Sequence, residues 1–318
     1  MRTALLVATL SLLGGHIAAA QEVTLRAISS FAEGTQFSKN FERFIDRVNN
    51  AGKGLVKINY IGGPRAIPPF EVGNSVRTRV VDIANVTGAF YTNLMPEADA
   101  EKLLSKPMSE QRKDGTWEYI NKLTNEKLNS FYLARQFHNV PFHIYLNKKI
   151  DKLDFTGLKI RVTPVYKDIV EAMGGTAVTT APGEVYTALE RGVVDGYGWP
   201  VTGIFDLGWD KVTKFRLEPG FYSVEVGVLV NLDAWKGLSD AQRKVLTDAA
   251  AWLEGLDSEN PVVIKAEVER QTKAGIQPID FGAAESKKFR DRANDVAWEA
   301  TIKRAPATAP RMRELAGK

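Results

Sequence analysis

The sequence predicts an α/β protein built as two lobes with a cleft between them. Three features carry that expectation: a strand–helix–strand–helix–strand order at the start, a second α/β series after residue 140, and enough apolar length for two cores. The 318 residues are 44% hydrophobic and 25% charged, and they include six Trp, nine Tyr and fifteen Phe. A disordered chain is excluded, because such chains lack the apolar surface that offsets conformational entropy.

Residues 23–28 alternate apolar and polar side chains and read as a strand. Phe37, Phe41, Phe44, Ile45 and Val48 then recur at helical spacing, and Asn49-Asn50-Ala51-Gly52 ends that helix. Alternation returns over residues 55–60 and breaks at Gly62-Gly63-Pro64. A helical stretch over 69–78 leads to a short buried strand over 80–86, an order that predicts a parallel sheet. The second series starts with strands over 142–146 and 159–163. Thr163-Pro164 is placed to cap a helix that runs to Met173, with Pro in the first turn and Gly174-Gly175 at its end. A strand over 176–179, a helix over 183–191 and a short strand over 193–196 follow, then one long strand over 222–231. Ser239 with Gln242 spells a capping box for a helix to about Gly255. Asn260-Pro261 interrupts it, residues 262–275 continue it, 276–280 form a strand, and helices fill the chain from 283 onward. The boundaries expected are residues 21–141 with 226–262 for the first lobe, and 142–225 with 263–318 for the second.

Lys and Arg exceed Asp and Glu by 42 to 38, a net charge of +4 spread without blocks. Nucleic acid is not expected as a partner, whereas a small anion suits this balance. The absence of Cys excludes disulfides, thiol nucleophiles and cysteine-held metals. At the N-terminus, Arg2, an apolar run over 4–13, and Ala18 and Ala20 in small-x-small order read as an export signal cut after Ala20. The apolar run is shorter than the ~20 residues of a spanning helix. The expected product is therefore free in a bacterial periplasm.

Catalytic patterns are missing. There is no G-x-S-x-G, no G-x-x-x-x-G-K-[ST], no H-E-x-x-H, and no G-x-G-x-x-G after a strand. His138 and His143 stand five apart around a proline and share no helical face, so neither a metal centre nor a cofactor is expected. An Asp/Glu pair in a periplasmic hydrolase or lyase is the enzymatic alternative, without a positive signal. The chain reads as a binder. Ligands of α/β proteins sit at the carboxyl ends of strands, which singles out loops 29–34, 87–91, 163–166 and 197–200. Arg161 lies in the otherwise apolar Leu158-Lys159-Ile160-Arg161-Val162. With Ile160 and Val162 inward it points the other way, as a planar fork for a carboxylate or as half of a surface salt bridge. Trp199, in Gly-Tyr-Gly-Trp-Pro, is either core or cleft wall, and its Gly198 and Pro200 neighbours favour an exposed loop.

The run G-L-K-I-R-V, then G-G-T, then P-G-E-V-Y-T-A-L-E-R-G-V-V-D-G, then W-P, spanning residues 157–200, closely resembles the solute-binding components of TRAP transporters, the DctP family. Weaker agreement, including V-V-D-I-A before residue 85, extends over most of the chain. The resemblance implies a two-lobed periplasmic binding protein fold, crossed several times by the chain. It also implies a long helix along both lobes, which Asn260-Pro261 should kink. The implied partners are a small organic acid and the membrane permease subunits of a TRAP importer, with the receptor a monomer or homodimer. By the same resemblance Arg161 clamps the ligand carboxylate, and Trp199 stands where other members place a supporting Asn. Thr87 faces the ligand, Asn85 and Phe90 flank it, and Pro182 lines the cleft. Where some members carry a second basic residue this chain has Phe142 and His143, either of which can face the cleft. One clamp in an aromatic pocket favours a monocarboxylate, such as a 2-oxo, 2-hydroxy or aromatic acid, because a second desolvated carboxylate would lack a partner. A dicarboxylate is the alternative, and a protonated His143 is the feature that favours it.

Overall fold

Two sheets organise the chain, and three segments pass between them. The computed structural model describes residues 22–317, so the expected export signal and its cut after Ala20 lie outside the described residues. The first lobe runs through β1 (Val23–Ser29), α1 (Gln36–Ala51), β2 (Val56–Tyr60), α2 (Val72–Arg77) and β3 (Ile83–Val86). It continues through α3 (Met108–Asp114), α4 (Thr116–Leu128) and β4 (Ser130–Gln136). The second lobe follows as β5 (Pro141–Leu146), β6 (Lys159–Val162), α5 (Pro164–Ala172), β7 (Thr176–Thr179), α6 (Val185–Glu190), β8 (Gly196–Pro200), β9 (Phe215–Leu217) and β10 (Phe221–Ser223). The chain then returns to the first lobe with β11 (Val226–Asn231), α7 (Leu232–Gly237) and α8 (Asp240–Gly255). It ends through α9 (Asn260–Lys273), β12 (Gln277–Ile279), α10 (Ala283–Arg304) and α11 (Ala309–Ala316).

The first sheet has the order β2-β1-β3-β11-β4. Its β1, β2 and β3 are parallel, as the opening pattern predicts, but β11 lies antiparallel to both β3 and β4. The sheet is therefore mixed, because its fourth strand arrives from the other lobe rather than over a crossover helix. The second sheet has the order β12-β9-β5-β8-β6-β7, with β10 paired beside β5. The amphipathic α1 buries Phe37, Phe41, Phe44, Ile45 and Val48, at the helical spacing legible in the sequence. Its partner α8 packs on α1 and β4, and opens with the expected Ser239–Gln242 capping box.

Several expectations are corrected. The single strand over 222–231 is two, β10 in the second sheet and β11 in the first, with the lobe crossing between them. Residues 193–195 are irregular, following a turn at 191–192, and the strand is Gly196–Pro200. The stretch 69–78 is a 3-10 turn, Pro69–Glu71, leading into the short α2. Thr163 precedes α5 in extended conformation, but its side chain makes no capping bond. The long helix is broken as expected near Asn260-Pro261, by a 3-10 turn at Leu256–Glu259. At the C-terminus α10 packs on α5 of the second lobe, while α11 packs on α4 of the first. Residues 263–318 thus do not keep to the second lobe.

Candidate ligand cleft

Between the lobes lies a chamber of about 590 Å³, lined by Phe31, Phe37 and Arg65 of the first lobe and Pro182, Trp199 and Asp206 of the second. It narrows to an inner cavity of about 30 Å³ whose walls include Thr87, Phe90 and Glu225 on one side and Phe142, Tyr166 and Trp199 on the other. Aromatic contacts bridge the gap. Phe37 lies 5.7 Å from Trp199 across the lobes and 5.0 Å from Phe137 beneath, and Phe142 packs edge-on to Tyr166 at 5.2 Å.

Arg161 is fully buried. Its Nε donates to the Thr180 carbonyl at 3.1 Å, its Nη2 donates to the same oxygen, and its Nη1 reaches the Gly198 carbonyl at 3.5 Å. Among the described residues it forms no ion pair, so the surface salt bridge is not its role. Burial lowers its pKa to about 10, and Tyr166 and Glu184 offset only part of that effect. The guanidinium is thus a charged donor at neutral pH, held by carbonyls and short of a counter-ion. It sits one layer behind the cleft wall, 6.0 Å from the ring of Trp199 and next to the segment Ala181–Pro182 that lines the chamber.

Trp199 is on β8, not an exposed loop, and is 5% accessible. A glycine at 198 fits that strand because a Cβ would meet the Tyr166 ring at 2.5 Å. Around the cleft, Ser30 Oγ, Tyr166 Oη and Trp199 Nε1 are buried without a hydrogen-bond partner among the described residues. Buried polar atoms normally have one, so these groups leave hydrogen-bonding capacity unused at the cleft.

The remaining sequence-derived candidates divide. Thr87, Phe90, Phe142, Pro182 and Trp199 line the cavities. Asn85 does not: its amide donates to Ser29 Oγ and the Phe37 carbonyl and accepts from Gln136, binding β1, α1 and β4 together. His143 does not either. Its Nδ1 lies 2.9 Å from the Leu217 carbonyl and 3.8 Å from Glu218, on the β9 side of the strand. Burial lowers its pKa, which keeps it neutral and removes it as a second cation. Sequence reasoning missed Tyr166, Glu225, Arg65 and Asp206. The first sat inside a loop already singled out, and the other three carried no spacing signal.

The model of the bacterial extracellular solute-binding protein family 7, DctP, matches residues 29–303. A monocarboxylate 2-oxoacid-binding periplasmic protein of Nostoc is 24% identical over 221 residues, 65% of this chain and 60% of that protein. A C4-dicarboxylate-binding periplasmic protein of Rhodobacter capsulatus is 33% identical over 153 residues, 47% of this chain and 43% of that one. The chain thus spans between two fifths and two thirds of the length of these curated relatives. In structure it is similar to DctP6, a Bordetella pertussis extracytoplasmic solute receptor binding pyroglutamic acid, at TM-score 0.81 and 20% identity, covering 93% of this chain and 99% of that one. A TRAP periplasmic solute-binding protein of Desulfovibrio salexigens with bound orotic acid gives TM-score 0.82 at 21% identity, over 92% and 97% of the two chains. These structures show the shared two-lobed fold. By the family match over most of its length, the chain belongs to the bacterial extracellular solute-binding protein family 7, the DctP family.

Proposed function

We propose that this protein is a periplasmic receptor that captures a small organic monocarboxylate between its lobes and delivers it to a TRAP-type membrane permease. One observation carries the reading: the buried Arg161 guanidinium beside the cleft, with carbonyls for partners and no counter-ion. Isolated buried charge is costly, and a ligand carboxylate relieves the cost while the fork fixes its orientation. The apolar and aromatic walls exclude water once the lobes meet, which strengthens the ion pair by lowering the local dielectric. The unpartnered donors of Tyr166 and Trp199 fit a second oxygen on the ligand, as in a 2-oxo or 2-hydroxy acid. The mechanism is binding and closure, with no bond made or broken.

A second reading, a dicarboxylate, is favoured by Arg65, an exposed cation that lines the outer chamber. Thermal-shift titration against matched mono- and dicarboxylates decides between them, since a ligand that binds the folded state alone raises the melting midpoint by mass action. Monocarboxylates are expected to shift the wild type, and Arg161→Ala to weaken them at least ~30-fold, given the ~2–5 kcal/mol cost of leaving a buried charge unpaired. Without ligand, Arg161→Met should melt at or above the wild type, because it removes an uncompensated buried charge and keeps the volume. Affinity within about threefold of wild type for Arg161→Ala would sink the clamp.

A further inference from the structure

Where the chain returns from β10 to β11, Glu225 is carried into the wall of the inner cavity and buried to 3% exposure. Its Oε1 accepts from Thr87 Oγ1 at 2.5 Å and from the Gly88 amide at 2.9 Å. Among the described residues its Oε2 accepts only from the Gly88 amide, at 3.0 Å. A carboxylate oxygen has two acceptor sites, so Oε2 keeps one for a further donor. The opposite wall presents Tyr166 and Trp199, whose polar atoms have no protein partner.

The charges behind Glu225 matter as much as its lone pairs. Glu101 lies behind it with Oε2 accepting from Tyr132 Oη at 2.5 Å and Oε1 without a partner. Arg135 supplies the nearby positive charge, with Nη2 on the Lys106 carbonyl at 3.0 Å and Nη1 without a partner. Tyr91 and Tyr132 complete the titratable groups around the pair. Two carboxyls thus share one guanidinium. Burial and Glu101 push the Glu225 carboxyl well above the usual carboxylate range. Arg135 does not offset the charge that two ionised carboxylates would carry here, and another anion placed against this wall adds to that charge and meets desolvation as well.

We infer that Glu225 determines specificity at the far end of the ligand: its free Oε2 site accepts an N–H or O–H of the bound acid and turns away a second carboxylate. This rests on the reading of the cleft as an organic-acid site. The ligand class it selects has one carboxylate for Arg161 and, across the inner cavity, a neutral hydrogen-bond donor, as in lactam and hydroxy acids.

The test uses matched probes that differ at that end alone. L-pyroglutamate carries a ring N–H that its lactone analogue replaces with oxygen, and lactate carries an O–H that 2-methoxypropanoate lacks. Succinate supplies the second carboxylate. Affinities are measured calorimetrically for the wild type, Glu225→Gln and Arg161→Ala. The wild type should prefer the donor-bearing member of at least one pair about tenfold or more, because a site built for a donor leaves polar groups unpaired with the analogue. Glu225→Gln should lose that preference and bind succinate more tightly than the wild type does. The inference falls if donor-free acids bind the wild type as well as their partners. It also falls if the preference survives in Glu225→Gln, or if succinate alone binds. In each of these cases loss of binding in Arg161→Ala leaves the receptor reading intact. Binding that ignores Arg161→Ala, or no binding at all, overturns that reading and the inference with it. Should Glu225→Gln fail to fold, the wild-type comparison of matched pairs decides alone.

Discussion

Tyr166 reaches the inner cavity because residue 198 has no side chain. A Cβ there would stand 2.5 Å from the Tyr166 ring, far inside contact distance, and the ring is already held edge-on by Phe142 and Phe221. Gly198→Ala must therefore displace Tyr166 or bend β8, at the ~1–3 kcal/mol typical of an overpacked core. For a chain of this size that is a fall of a few degrees in melting midpoint. It should come with weaker ligand binding, since Tyr166 lines the inner cavity; an unchanged melt and an unchanged affinity in Gly198→Ala would show that the ring is not pinned. At this scale legibility followed local pattern. Arg161 and Trp199 stood in motifs and could be singled out, although only the structure shows that Arg161 lacks a counter-ion and that Trp199 sits in a strand. Alternation in β5 required Phe142 and His143 to face opposite ways, but which one meets the cavity depends on the neighbouring strands β8 and β9. Glu225 was illegible. Between Val224 and Val226 it looks like the solvent face of a strand, and it is buried because the chain changes lobes there.

Among the elements, α1 is completed from outside its own lobe. Its N-cap, Thr35, turns its hydroxyl to the Ala32 carbonyl, and the amide of Gln36 donates instead to Asp206 of the second lobe at 2.6 Å. A carboxylate at a helix N-terminus gains from unpaired amides and the helix dipole, by ~0.3–1 kcal/mol when exposed. Here that gain is available only while the lobes are together. Asp206→Ala should thus change the ligand-free melt by no more than a degree or two, yet release ligand about two- to fivefold faster, the kinetic equivalent of that energy. Association should be unchanged, as the contact forms after encounter; stopped-flow binding separates the two rates, and a slower association with unaltered release would contradict this assignment. Elements with strong periodicity, such as α1, or with cap chemistry, such as α8, were legible to within a residue or two. The stretch from 96 to 128 was not. Its Pro96–Leu103 segment buries Glu97, Asp99, Glu101 and Lys102, so no apolar stripe betrays it. Lys102 pairs with Asp99 inside the segment and donates to the Val165 carbonyl, while Glu97 accepts from Lys127 and Glu101 from Tyr132.

Across the whole molecule, the alternation of strands and helices revealed two lobes, but the joints between them depend on contacts between residues more than eighty positions apart. The three crossings are bonded to one another. Asn139 N donates to Ser223 Oγ at 2.9 Å and Val224 N to the Val140 carbonyl at 2.8 Å. From the break between α8 and α9, Asp257 Oδ1 accepts the Phe137 amide at 2.7 Å, and Asn260 Nδ2 donates to the His138 carbonyl at 2.9 Å. Phe137 and Asn139 adopt φ of 69° and 62°, a left-handed conformation that a phenylalanine rarely accepts and that these bonds hold in place. The acid in this joint is half-buried, and burial raises the Asp257 carboxyl to about 6, whereas an unfolded Asp titrates near 3.9. Between those values the folded protein binds more protons than the unfolded chain, so stability contributed by this group is complete at low pH and is lost as pH rises through 6. Asp257→Asn cannot titrate. Its melting midpoint, measured relative to the wild type, should therefore rise steadily from pH 4 to pH 7 and level off above. Any constant offset from the new amide is irrelevant, since only the slope reports the charge; a difference that does not change with pH would mean that Asp257 is ionised in the folded joint at no cost.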